Sequence, residues 1–131
     1  MNLLLDTHAL IWWLEDNQKL GRLARRIIQD DGNDIWISAA SIWEISIKAS
    51  LGRLDVSERF EAELPDEMER SGFRRLLVKF EHAFAVRYLP HHHGDPFDRL
   101  LVAQTQCEQL TLVTTDAELA AYGVPVIDAR R

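Results

Sequence analysis

Asn2-Leu3-Leu4-Leu5-Asp6-Thr7-His8-Ala9-Leu10-Ile11-Trp12-Trp13-Leu14 opens on three consecutive leucines followed at once by an acid. A run that short, apolar at every position, fits a strand buried on both faces rather than one with a wet side. Asp6 closes the strand, and the residues from Thr7 to Glu15 carry the apolar spacing of a helix. Continuous apolar strands that alternate with helices build a parallel sheet covered on both sides. In such sheets chemistry gathers at the carboxyl ends of the strands, which is where Asp6 stands.

The same alternation continues along the chain. Leu20–Gln29 places Leu20, Leu23, Ala24, Ile27 and Ile28 on one helical stripe, and Asp31-Gly32-Asn33-Asp34 turns into a strand at Ile35-Trp36-Ile37. Ser38 suits the N-cap of a helix over Ala39–Leu51, with Gly52 just past its end. Ser57 suits the cap of a helix over Glu58–Ser71, expected to be interrupted near Pro65. Phe73–Val78 reads as strand, Glu81–Tyr88 as helix, Pro90–Gly94 as loop and Pro96–Gln109 as helix. Leu110–Thr114 is a strand, Asp116–Ala121 a helix and Val124–Ile127 an edge strand. No repeat, low-complexity tract or linker divides residues 1–131, so the expectation is one domain.

Composition bounds the function. The chain has 131 residues, 47% hydrophobic and 27% charged, with a net charge of −6. That balance excludes a non-specific nucleic-acid coat, which would be basic, but not a nuclease whose acids surround cations. No apolar run approaches a membrane span, and no basic segment precedes the first apolar stretch as in a secretory signal. Cys107 is the single cysteine, so no internal disulfide forms; the expectations are a small buried hydrophobe and a cytoplasmic address.

Four acids stand at element boundaries or on a helix face: Asp6, Glu44, Asp98 and Asp116. Hard oxygen ligands on separate elements are the makings of a Mg²⁺ or Mn²⁺ site, and metal-assisted phosphodiester hydrolysis is the chemistry such a site would run. Each acid also has a purely structural explanation. Asp6 fits a helix N-cap. Asp95-Pro96-Phe97-Asp98 reads as a cap, a proline in the first turn and an acid reaching back. Thr115-Asp116-Ala117-Glu118 offers a threonine cap with Glu118 three residues on. Ser41, Glu44 and Lys48 form one polar stripe on their helix, which a solvent-exposed Glu–Lys pair would explain equally. The adjacent His91, His92 and His93 share no face and suit a mobile loop better than a zinc site. Trp12 and Trp13 cannot both face the core, so one is expected at the surface for a partner. Lys19, Arg22, Arg25 and Arg26 make a basic face on the second helix, either solvated or touching RNA or a partner.

Taken in order, these segments resemble the PIN-domain ribonucleases, specifically the VapC-type toxins of bacterial toxin–antitoxin pairs. Leu3–Trp12 resembles the family's first strand and acid, and Ile37–Ile45 its helix-borne glutamate. Leu89–Gln104 is similar to the branch with a His–Asp–Pro–Phe–Asp–Arg motif, and Leu112–Asp116 to the strand with the last acid. The resemblance implies a three-layer α/β/α sandwich on a five-stranded parallel sheet in the order 3-2-1-4-5. It implies an endoribonuclease dependent on Mg²⁺ or Mn²⁺, usually homodimeric and restrained by a small antitoxin that enters the acidic pocket. Asp6 and Asp98 would hold the metal, with Glu44 and Asp116 completing the shell and Thr115 and Arg99 orienting water or phosphate. An aspartyl-phosphate phosphatase is a rival, yet it wants a second acid where His8 stands. A receiver domain is another, but Glu44 lies within a helix. A PIN module that binds without cutting would lack one of the acids.

Overall fold

The computed structural model describes residues 1–131. Its sheet has five parallel strands in the order β3-β2-β1-β4-β5, as the resemblance implied. The strands are β1 (Asn2–Leu5), β2 (Asp34–Ser38), β3 (Arg74–Leu76), β4 (Thr111–Thr114) and β5 (Val126–Asp128). The helices are α1 (Thr7–Leu14), α2 (Arg22–Gln29), α3 (Ala39–Ser50), α4 (Phe60–Ser71), α5 (Phe80–Val86) and α6 (Pro96–Cys107), with a 3₁₀ turn over Ala117–Tyr122.

Leu3, Leu4 and Leu5 are all fully buried, and alternation sends them to opposite faces of the central strand. Leu3 and Leu5 join Leu10, Ala24, Ile28, Ile45, Leu64 and Met68 in one core. Leu4 joins Leu101, Val102, Leu112 and Leu119 in the other. These two cores are the outer seams of an α/β/α sandwich. Burying a leucine of this kind is worth about 1.5–3 kcal/mol, so the triple-leucine strand is the element least able to accept a polar residue.

Several boundaries differ from the sequence expectation for local reasons. Pro65 does not interrupt α4, which runs unbroken from Phe60 to Ser71. Proline deletes one backbone donor, but Leu64 and Met68 are buried on the same face and tie both sides of it to the core. The third strand keeps only Arg74–Leu76, and the last moves to Val126–Asp128, where β4 supplies its partners. Ser57 does not cap α4; its Oγ accepts from Arg59 N–H ahead of the helix. Cys107 is exposed at the end of α6 rather than buried. Neither Trp12 nor Trp13 is exposed. Trp12 lies in the core, with the Arg130 guanidinium 5.2 Å from its ring centre, and Trp13 tilts against Phe73 at 5.7 Å. The exposed tryptophan is Trp43. No helix is long and apolar enough to cross a membrane.

Candidate active site

The carboxyl ends of β1 and β4 lie side by side, and Asp6 N–H extends their pairing by donating to the Val113 carbonyl at 2.8 Å. Asp6 is 3% exposed. Its Oδ1 accepts from Ala9 N–H at 2.7 Å, capping α1, while Oδ2 accepts from Thr114 Oγ1 at 2.7 Å and Thr115 N–H at 2.9 Å. Cap and fixed carboxylate are thus the same residue. Burial nevertheless pushes the Asp6 carboxyl above its ordinary range, against the pull of those donors.

Glu44 is 2% exposed, so the exposed-pair explanation fails. Thr7 Oγ1 donates to Oε1 at 2.6 Å, and Lys48 Nζ pairs with Oε2 at 2.5 Å. Ser41 Oγ lies 3.1 Å from Thr7 Oγ1. Ser38 caps α3 through Ala40 N–H and is held by Gln104 of α6 at 2.6 Å, which pins the two acid-bearing helices together. The polar stripe seen in the sequence is therefore an inward-facing one. Lys48 keeps about a third of its side chain in solvent.

Asp95 and Asp98 separate cleanly. Asp95 Oδ1 accepts from Phe97 N–H at 2.8 Å and Asp98 N–H at 3.1 Å and is the N-cap of α6. Asp98 makes no cap. Its carboxyl is pushed up to about 7, first by burial, then by the charges of Asp95 and Asp6, with Glu44 adding to them and His93 opposing. That sensitivity shows Asp6, Glu44 and Asp98 sharing one field. Asp95→Ala should therefore cost about 1 kcal/mol of stability, as the loss of a helix cap does, whereas Asp98→Ala removes no cap. Thermal unfolding of Asp95→Ala and Asp98→Ala checks this; a cap-sized loss confined to Asp98→Ala would reverse the two roles.

Asp116 caps the 3₁₀ turn through Glu118 N–H at 3.1 Å, displacing Thr115 from the capping place expected for it. Thr115 instead meets Asp6 through its backbone N–H. Asp116 Oδ2 lies 3.2 Å from His93 Nε2, which is 3.6 Å from Asp98 Oδ2. His93, Asp98 and Asp116 thereby place ligand-type atoms within 4.8 Å of one another. Sequence reasoning left His93 in a mobile loop. Asp95 N–H donates to its Nδ1 at 3.0 Å, so the ring proton sits on Nε2, facing the two acids. The signal was the His-x-Asp spacing, by which the residue that caps α6 also orients the ring.

Arg99 does not face the acids. It is 8% exposed, and its guanidinium donates to the carbonyls of Pro90, Val86 and Leu89 and to the Tyr122 hydroxyl. It ties down the loop that carries His93. Another acid–histidine group, Glu81, His82 and Glu108, is closed within itself. His82 Nδ1 accepts from Lys79 N–H and Nε2 meets Glu108 at 2.9 Å, holding the Glu108 carboxyl below its ordinary range.

A set of hard carboxylates drawn from separate elements into one partly buried place fits a small divalent cation. The candidate residues are Asp6, Asp98 and Asp116, with Glu44 behind them.

Comparison with known proteins bears on the family and the fold. Residues 3–125 match the model of the PIN domain family. Over 58 residues the chain is 45% identical to Ribonuclease VapC16 of Mycobacterium tuberculosis, a stretch covering 44% of this chain and 41% of that protein. Among solved structures it is similar to a chain of VapBC2 from Rickettsia felis bound to a promoter DNA fragment, with a TM-score of 0.73 at 15% identity over 98% of both chains. It is also similar to a chain of VapBC-1 from nontypeable Haemophilus influenzae, with a TM-score of 0.70 at 16% identity over the whole of both chains. At these identities the structures speak for the fold.

Proposed function

Because this chain belongs to the PIN domain family, matched across nearly its whole length, we propose that it is a divalent-metal-dependent endoribonuclease, the toxin of a toxin–antitoxin pair. The observation that carries the reading is the gathering of carboxylates from separate elements: Asp98 and Asp116 both lie against His93, and the Thr114 hydroxyl links Asp6 to the Asp116 backbone. The partial identity to a ribonuclease supports the substrate class.

Asp6, Asp98 and Asp116 would hold the cation, Mg²⁺ or Mn²⁺ by their hard oxygen donors. When bound, such an ion would lower the pKa of its water and offset negative charge on the phosphorus centre under attack. The chain's own residues fix the geometry. Thr114 and Thr115 N–H aim the Asp6 carboxylate, and Thr7 and Lys48 hold Glu44 in the wall of the pocket. The His93 Nε2 proton, directed at Asp98 and Asp116, keeps these two acids adjacent. The test is a single-stranded RNA incubated with purified protein in EDTA, then with Mg²⁺ or Mn²⁺. Cleavage only with a divalent ion is expected; undiminished cutting in EDTA, or none with either metal, would reject the proposal.

The antitoxin assignment draws on the similarity to VapBC chains. An apolar groove of about 380 Å³ lies between α3 and α4, lined by Ile42, Phe60, Leu64 and Met68, and suits a helical segment of such a partner. A basic side chain of the same partner would complement the carboxylates of the site, an arginine best of all because its planar fork can pair two oxygens at once. Assembly as a homodimer belongs to the same proposal.

A further inference from the structure

Trp43 is 60% exposed, an unusual state for the largest apolar side chain, and it immediately precedes the buried Glu44. It is not loose. Its ring meets Phe97 edge-on with centres 5.3 Å apart, and Phe97 immediately precedes Asp98. Adjacent residues have Cα atoms about 3.8 Å apart, so the Trp43–Phe97 pair bridges α3 and α6 at the level of their two acids. The contact holds the indole against α6 and still leaves much of the side chain in solvent. Lys48, further along the same helix, spends its ammonium on the Glu44 carboxylate and not on Trp43.

A rigid exposed aromatic beside a phosphodiester-cleaving site is a place where proteins hold single-stranded nucleic acid, because a base can stack on the ring. We propose that Trp43 is a base-stacking platform that holds a nucleotide neighbouring the scissile phosphate. The inference rests on the ribonuclease reading and adds to it a binding residue outside the acids. A base in a duplex is already stacked on its neighbours, so the platform favours unpaired segments. Stacking is tolerant of base identity, so Trp43 contributes affinity rather than a strict sequence.

The test separates binding from cutting. A fluorescein-labelled single-stranded oligoribonucleotide is titrated by anisotropy into Asp6→Asn protein and into Asp6→Asn carrying Trp43→Ala or Trp43→Phe. The alanine variant should bind about 5- to 100-fold more weakly, the loss expected for one base–aromatic stack. The phenylalanine variant should stay near the parent. A duplex of the same sequence should bind the parent and the Trp43→Ala variant equally, which a general loss of structure would not produce. Equal single-strand affinity with and without Trp43 would overturn the proposal. So would a Trp43→Ala loss accompanied by a change of sedimenting mass, which would make Trp43 a protein contact. Cleavage by the wild-type protein is scored separately, so a failure of the ribonuclease reading shows there and not in these titrations.

Discussion

Asp6→Asn is expected to lose at least ~100-fold of metal-dependent RNA cleavage, since disturbing even residues outside a metal's direct ligands costs about 10–100-fold, while the protein stays folded. The asparagine is isosteric, and its Oδ1 can still accept from Ala9 N–H, so the cap on α1 survives. At the other oxygen the new amide meets two groups. The Thr114 hydroxyl can rotate to accept from it, but Thr115 N–H loses its acceptor. An orphaned buried donor costs about 1–3 kcal/mol. Against this, the substitution removes a charge whose burial is already unfavourable, as the upward push on the Asp6 carboxyl records. It also relieves Asp98 of one of the charges that raises its own carboxyl. The two effects oppose each other, so the melting temperature of the metal-free protein should move little while activity collapses. Kinetics and thermal unfolding on one preparation decide the matter, and wild-type cleavage by Asp6→Asn would remove Asp6 from the site.

The parts of the fold legible in the sequence are those where one interaction dominates. Leu3-Leu4-Leu5 has no wet face in any register, so a strand buried on both sides was its only economical place, and Asp6 at its end followed. Ser38 and Gly52 mark the ends of α3 by backbone requirements that act locally. Pro65 misled because its cost is local whereas the anchoring of Leu64 and Met68 is tertiary. The site divides in the same manner. Ser41, Glu44 and Lys48 were visible as one stripe, but whether that stripe faced water or Thr7 depends on the seating of α3 against α1, which periodicity does not encode. Asp95 and Asp98 were ambiguous by spacing, because a helix N-terminus favours any nearby carboxylate; only the bonds to Phe97 and Asp98 N–H separate them. Arg99, adjacent to an acid of the site, points away from it because the loop carbonyls of residues 86–90 lie on its side of α6.

Metal-free protein is expected to lose stability as pH rises from about 4 to about 7, the reverse of the usual acid-labile pattern. The Asp98 carboxyl goes from an ordinary value of 3.8 to about 7 in the folded chain. Between those values the native state holds a proton that the unfolded state has released, so unfolding becomes easier as pH increases. The stability is fully present below the unfolded value, falls through the window and levels off above the folded one. The whole difference corresponds to roughly 4 kcal/mol, which solvent reaching the side chain, 23% exposed, screens to about 2 kcal/mol. Asp6, also raised, contributes in the same direction. Asp98→Asn should flatten most of this slope and make the metal-free protein more stable at pH 8, because a neutral amide stands where a crowded charge had to form. Mg²⁺ or Mn²⁺ should restore wild-type stability at that pH, since binding to the native state alone adds about 2.7 kcal/mol at a hundredfold excess over Kd, and should do far less for Asp98→Asn. Denaturant titrations of both proteins across pH 4–8, with EDTA and with metal, make the comparison. A wild-type slope that persists unchanged in Asp98→Asn would place the titrating group elsewhere. Equal stabilisation of both proteins by metal would mean that Asp98 is not among its ligands.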